Sequence, residues 1–167
     1  MNLLEKDSVQ ASPADIGSVD AILAALYEAI SFPPNGEPEW NRVRSLFLPG
    51  GRMIPPRTEE QGDYPVMDVE SFIVWGNQLA DVAGLRTTGF YERQVAHRIE
   101  KFGNIVHVFS TYESRFTEND PEPFERGINS IQLVWDQGRW WTVTIFWDIE
   151  RDGNPIPAKY LPGRSKM

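Results

Sequence analysis

Few side chains in this sequence could do chemistry, and three of them are brought to one face of a β-hairpin. Gly103-Asn104 supplies a two-residue reversal between the alternating stretches Phe90–Lys101 and Ile105–Phe116. Counting back from that turn pairs Ile99 with Val108, His97 with Ser110, Val95 with Tyr112, and Tyr91 with Phe116 on one face. The opposite face takes Glu92 with Arg115, Gln94 with Glu113, and Glu100 with His107. The first set is the more apolar and is therefore expected to face the core. His97, Ser110 and Tyr112 then become polar groups among apolar neighbours. A His can carry a proton near neutral pH, and a Tyr hydroxyl can hold a developing oxyanion. His97 is thus the candidate base and Tyr112 the candidate hydrogen-bond donor. The commoner arrangement is structural: a core His donating to Ser110 or to a carbonyl, beside a core Tyr.

The elements that must position these groups come first in the chain. Ser18 suits an N-cap, and Ile22, Leu23, Leu26, Ala29 and Ile30 recur at helical spacing, which predicts a helix over Val19–Ser31. Trp40–Leu48 reads as a short helix running into a strand. Pro49-Gly50-Gly51 is expected to turn that strand back. Asp68 caps a third helix over Val69–Ala83. Tyr27 on the first helix could reach a cavity, although helical spacing also suits it to core packing.

The last strands run from Ile128 to Glu150 and hold four of the six Trp. With Asp136-Gln137-Gly138 as the loop, Leu133 and Trp141, Ile131 and Val143, and Asn129 and Ile145 share the inner face with Trp147. Gln132, Thr142, Ser130 and Thr144, edged by Val134, Trp140 and Phe146, would form an outer face suited to a dimer interface. Helices followed by antiparallel strands predict an α+β domain with helices on one face of a curved sheet, an arrangement that often leaves a cavity. Expected boundaries are a flexible arm over 1–17, the domain over 18–150 and a C-terminal tail over 151–167.

Composition excludes several functions. The net charge of −8 argues against a phosphate-tracking surface, so no nucleic-acid partner is expected. No apolar run reaches the roughly 20 residues of a membrane helix, and the opening stretch lacks the order of a signal peptide. The absence of Cys removes thiol chemistry and fits a reducing, cytoplasmic setting. The two His fall on opposite hairpin faces, so no metal site is expected. Nucleotide and serine-nucleophile motifs are absent, and no cofactor is expected.

Phe90–Phe116 (FYERQVAHRIEKFGNIVHVFSTYESRF) and Arg126–Glu150 (RGINSIQLVWDQGRWWTVTIFWDIE) resemble the long hairpins of the nuclear-transport-factor-2-like superfamily, and within it the SnoaL-like domains. The resemblance spans roughly residues 15 to 150. It implies a cone-shaped, cystatin-like α+β barrel with three N-terminal helices cupped by an antiparallel sheet. It also implies a pocket for a small, mostly apolar organic ligand, and a homodimer through the sheet. The superfamily includes isomerases, cyclases, dehydratases and non-catalytic adaptors. The isomerase and cyclase members carry a carboxylate near the first strand, where this chain has LFLPGGRMI and no acid. A cofactor-free lyase or isomerase therefore rests on His97 and Tyr112, with Tyr27, Trp75, Tyr91, Ser110, Asn129, Trp141 and Trp147 lining the pocket. The alternative is an adaptor working through its sheet.

Overall fold

The structure, a computed structural model, describes residues 9–163. In chain order it has α1 (Pro13–Ile16), α2 (Val19–Ile30), α3 (Trp40–Leu46), β1 (Phe47–Ile54), α4 (Val69–Val82), α5 (Leu85–Thr88), β2 (Tyr91–Phe102), β3 (Ile105–Arg115), β4 (Glu125–Asp136) and β5 (Arg139–Ile149). The two long helices begin where their caps predict. Ser18 Oγ accepts from Ala21 N–H and Asp68 Oδ1 from Ser71 N–H, each satisfying an otherwise unpaired first-turn donor.

The strands form one curved sheet in the order β1-β5-β4-β3-β2. Its core lies between α2, α3, α4 and the inner sheet face, around Ile22, Leu23, Leu46, Val108, Ile131 and Leu133. The sheet is mixed rather than antiparallel, because β1 pairs parallel with β5. Pro49-Gly50-Gly51 does not reverse the chain. It forms an irregularity within one strand, with Gly50 at φ 85°, and pairing resumes at Arg52 opposite Thr144.

Two bulges and one turn decide which side chains face inward. The β2–β3 turn is the expected one, with Phe102 opposite Ile105 and His97 opposite Ser110. The register then slips at Val95, so Gln94 rather than Val95 stands opposite Tyr112, and Arg115 rather than Phe116 opposite Tyr91. In the β4–β5 hairpin the turn is two residues, Gln137-Gly138, both at positive φ, not three. That puts Leu133 opposite Thr142, burying Trp140 and Thr142 and turning Trp141 outward. A second slip at Val143 restores Ile145 and Trp147 to the inner face.

Both ends expected outside the domain are docked where they are described. Asp15 in α1 accepts from the Arg42 guanidinium at 2.9 and 3.0 Å, and Ile16 packs on the core. Residues 151–163 cross the outer sheet face. There Tyr160 meets Phe109 edge-on at 5.0 Å, its carbonyl accepts from Thr111 Oγ1, and Ile156 N–H donates to Glu150. Residues 1–8 and 164–167 of the expected arm and tail lie outside the described residues.

Candidate functional site

The slip at Val95 sets up the site. Past it, Gln94, Glu92 and Phe90 share the inner face with Ser110, Tyr112 and Ser114. A Glu on that side of the sheet enters the space under α2 and α4. The space is a cavity of about 340 Å³, within the usual range for a small-molecule site.

Its polar end is a set of bonded side chains. Ser110, fully buried, donates to Gln94 Oε1 at 2.6 Å and so must accept from Tyr27 Oη, also at 2.6 Å. Asn129 Nδ2 donates to Tyr27 Oη at 3.0 Å. Gln94 Nε2 stands 2.9 Å from His97 Nδ1. Ser114 Oγ donates to Glu92 Oε2 at 3.1 Å, and Tyr112 Oη to Glu125 Oε1 at 3.1 Å. Tyr112 reaches Glu125 because Gly127 lies opposite it in β4. A Cβ on Gly127 would sit 2.6 Å from the Tyr112 hydroxyl and 2.5 Å from the Asp148 carbonyl.

Among the described residues no Lys, Arg or His lines the cavity, and neither Glu92 nor Glu125 joins an ion pair. Desolvation is the main force on Glu92. Repulsion from Glu125 adds to it, while the bond from Ser114 and the nearby Asn129 amide oppose it, and the carboxyl is pushed up to about 8. Burial raises Glu125 as well, with the Tyr112 hydroxyl acting against the shift. Burial and then the Glu92 charge hold the hydroxyls of Tyr27 and Tyr112 protonated. An acid that titrates near neutral pH inside a cavity can take up or deliver a proton.

The remaining wall is aromatic and aliphatic. Trp40, Phe72, Trp75 and Trp147 form a chain of ring contacts with centroids 5.6–6.3 Å apart. Phe90, Phe116 and Phe124 make an aromatic rim, with Phe116 stacked on Phe124 at 4.1 Å. Phe116 and Phe124 remain 37% and 43% exposed, which marks this side as the mouth.

The residues anticipated from sequence divide between this cavity and other places. Tyr27, Trp75, Tyr112, Asn129 and Trp147 line it, and Ser110 stands directly behind Tyr27. His97 does not face it. The ring is exposed at the uncovered edge of β2, and Gln94 and Ser110 stand between it and Tyr27. Tyr91 leaves the inner face because of the Val95 slip, and Phe90 and Glu92 line the cavity instead. Trp141 is on the outer face under Arg139, whose guanidinium lies 3.6 Å from the ring centroid. Thr142, expected on the outer polar face, is fully buried with an unpaired hydroxyl.

Glu92 and Glu125 are the residues that sequence reasoning missed. The sorting rule put the more apolar set inward, and a functional acid violates that rule. The available signal was the pair of Glu residues in strand segments that flank Phe-rich sequence, at Phe90–Glu92 and Phe124–Glu125.

No protein-family model matches the chain, and no curated relative does. Among solved structures, a protein of unknown function with a cystatin-like fold from Nostoc punctiforme superposes with a TM-score of 0.52 at 9% identity, over 67% of this chain and 77% of that one. A nuclear-transport-factor-2-like protein of unknown function from Silicibacter pomeroyi aligns with a TM-score of 0.48 at 13% identity, over 79% and 89% of the two chains. One from Methylobacillus flagellatus aligns with a TM-score of 0.48 at 14% identity, over 80% and 95%. At these identities the likeness is one of fold. The cystatin-like α+β architecture expected from the resemblance is the architecture found, with the one parallel strand pair as its departure. Among the described residues no group of three or more His, Asp or Glu could hold a metal, and no helix is long and apolar enough to cross a membrane.

The raised Glu92 carboxyl makes folding pH-dependent. It binds its proton more tightly in the native chain than in the unfolded one, so the stabilising contribution is complete below the ordinary value of 4.5 and is lost as pH rises to about 8. Thermal unfolding should therefore show a midpoint that falls across this window. Glu92→Gln should flatten the fall, and an unchanged slope in that variant would remove Glu92 as its source.

Proposed function

We propose that this protein binds a small, mostly apolar organic ligand in the cavity and exchanges a proton with it through Glu92, without a cofactor. The reaction class is that of an isomerase or lyase acting on a proton held by carbon. The observation that carries this reading is a carboxyl without a cation among the described residues at the polar end of a 340 Å³ aromatic cavity, where desolvation pushes it up to about 8. Tyr112 and Glu125 stand beside it as a hydrogen-bonded pair that can follow charge on the ligand. Trp75 and Trp147 line the space without filling it, which favours ligand binding over a purely structural interior. The proton role goes to Glu92 in place of His97, because of those two residues Glu92 lines the cavity.

The outer sheet face supports a homodimer. Phe146 is 43% exposed there, beside the likewise exposed Tyr64. The docked tail narrows the area left for such an interface. The Cys-free composition is compatible with a cytoplasmic setting.

Cyclohexanone in deuterium oxide provides a direct assay, since loss of its protons beside the carbonyl is followed by NMR. The wild-type chain should accelerate exchange as pH approaches about 8. Glu92→Gln should be slower by about 100-fold. Equal rates for the two proteins would remove Glu92 as the proton acceptor. Sedimentation should show a dimer that Phe146→Arg converts to monomer; a monomeric wild type would remove the sheet interface.

A further inference from the structure

At its polar end the cavity presents free hydrogen-bonding capacity of one polarity once both carboxyls are ionised. Five hydroxyl, amide and carboxyl side chains line it: Tyr27, Glu92, Tyr112, Glu125 and Asn129. Their donors are engaged with one another or with neighbours. Tyr27 donates to Ser110 and Tyr112 to Glu125. The Asn129 amide donates to Tyr27 and also faces Glu92. With both carboxyls ionised, what is left over accepts. Glu92 Oε1, Glu125 Oε2 and Asn129 Oδ1 receive no bond from any described residue, while Glu92 Oε2 and Glu125 Oε1 are already bonded. A ligand head group that satisfied these three oxygens would have to be a donor. It would also have to offset one or two carboxylates that have no cation among the described residues. The walls behind it are aromatic, and aromatic rings attract positive charge to their faces.

We infer that the ligand of this cavity is a hydrophobic amine, bound as its ammonium ion between Glu92 and Glu125 with its apolar body against Trp75 and Trp147. This names the ligand class for the site proposed above and rests on that proposal. An ammonium has three N–H donors and no acceptor, the complement of the three free oxygens. A neutral alcohol of the same size has one donor and leaves acceptors unpaired. Arriving positive charge also favours the ionised carboxyls, so binding should release a proton into the medium below about pH 8. The groups that would feel the charge on each element are Tyr27 on α2, Glu92 on β2, Tyr112 on β3 and Glu125 on β4. From α3, α4, β1 and β5 the lining contributes only uncharged residues.

Tryptamine and tryptophol differ only in carrying an ammonium or a hydroxyl on the same indole body. Calorimetric titration of the full chain should show tryptamine binding about tenfold or more tighter than tryptophol near pH 8. The tryptamine heat should depend on buffer ionisation in the sense of proton release. In the E92Q/E125Q chain the two probes should bind within about twofold of each other. Tryptophol binding as tightly as tryptamine would overturn the amine assignment and leave the cavity intact as an apolar site. No binding of either probe would overturn both the assignment and the pocket reading on which it rests.

Discussion

One extra residue in an edge strand controls the interior of this protein. Where β2 slips against β3 at Val95, the side-chain alternation changes phase. Without that slip Tyr91, Arg93 and Val95 would face the helices, and Glu92 would stand in solvent. With it, a carboxyl is carried under α2 and α4 and cannot leave without unpairing the first half of the strand. β2 can accommodate the irregularity because it borders only β3. A central strand would have to fit it on both sides.

The consequence is a buried acid held where a fold has reason to avoid one. An unpaired carboxylate out of water is costly, and the structure offsets the cost in part. Ser114 donates to Glu92 and Tyr112 to Glu125, and Gly127 gives up a side chain so that the Tyr112 hydroxyl can reach its partner. Among the described residues no cation is supplied, so the proton itself becomes the counter-charge. Neighbouring groups are arranged to match. The chain of donors from Asn129 through Tyr27 and Ser110 to Gln94 points away from the cavity and leaves acceptors facing in. Aromatic walls from α3, α4 and β5 then enclose an apolar space beside that end.

The helices were legible in the sequence because cap and period agree. Ser18 and Asp68 begin the long ones, and Ile22, Leu23, Leu26 and Phe72, Ile73 bury the faces that spacing predicts. The fold was legible because two Gly-centred hairpins follow those helices, and the Gly103-Asn104 turn alone sets half of one register. What could not be read was phase. A bulge leaves no mark in composition: Val95 has the side chain of an ordinary strand residue, and counting outward from a turn fails at the first slip. Trp141 illustrates the same limit, since Asp136-Gln137-Gly138 suits a loop of two residues or three, and the choice inverts which Trp is buried. The parallel placement of β1 was hidden too, because Pro49-Gly50-Gly51 reads locally as a reversal. Five expected pocket residues reach the cavity because Tyr27 and Trp75 are on helices, and Tyr112, Asn129 and Trp147 lie where both phases agree. His97 and Tyr91 fail on opposite grounds, one by lying at an open edge and the other by lying past the slip.

Carboxyl carbon NMR with labelled glutamate reports every Glu individually and tests this account at its root. It should show a Glu resonance, lost in Glu92→Gln, that titrates at about 8. A spectrum in which the resonance lost in Glu92→Gln titrates at the ordinary value of 4.5 would mean that Glu92 lies in water and that the β2 slip does not turn it inward.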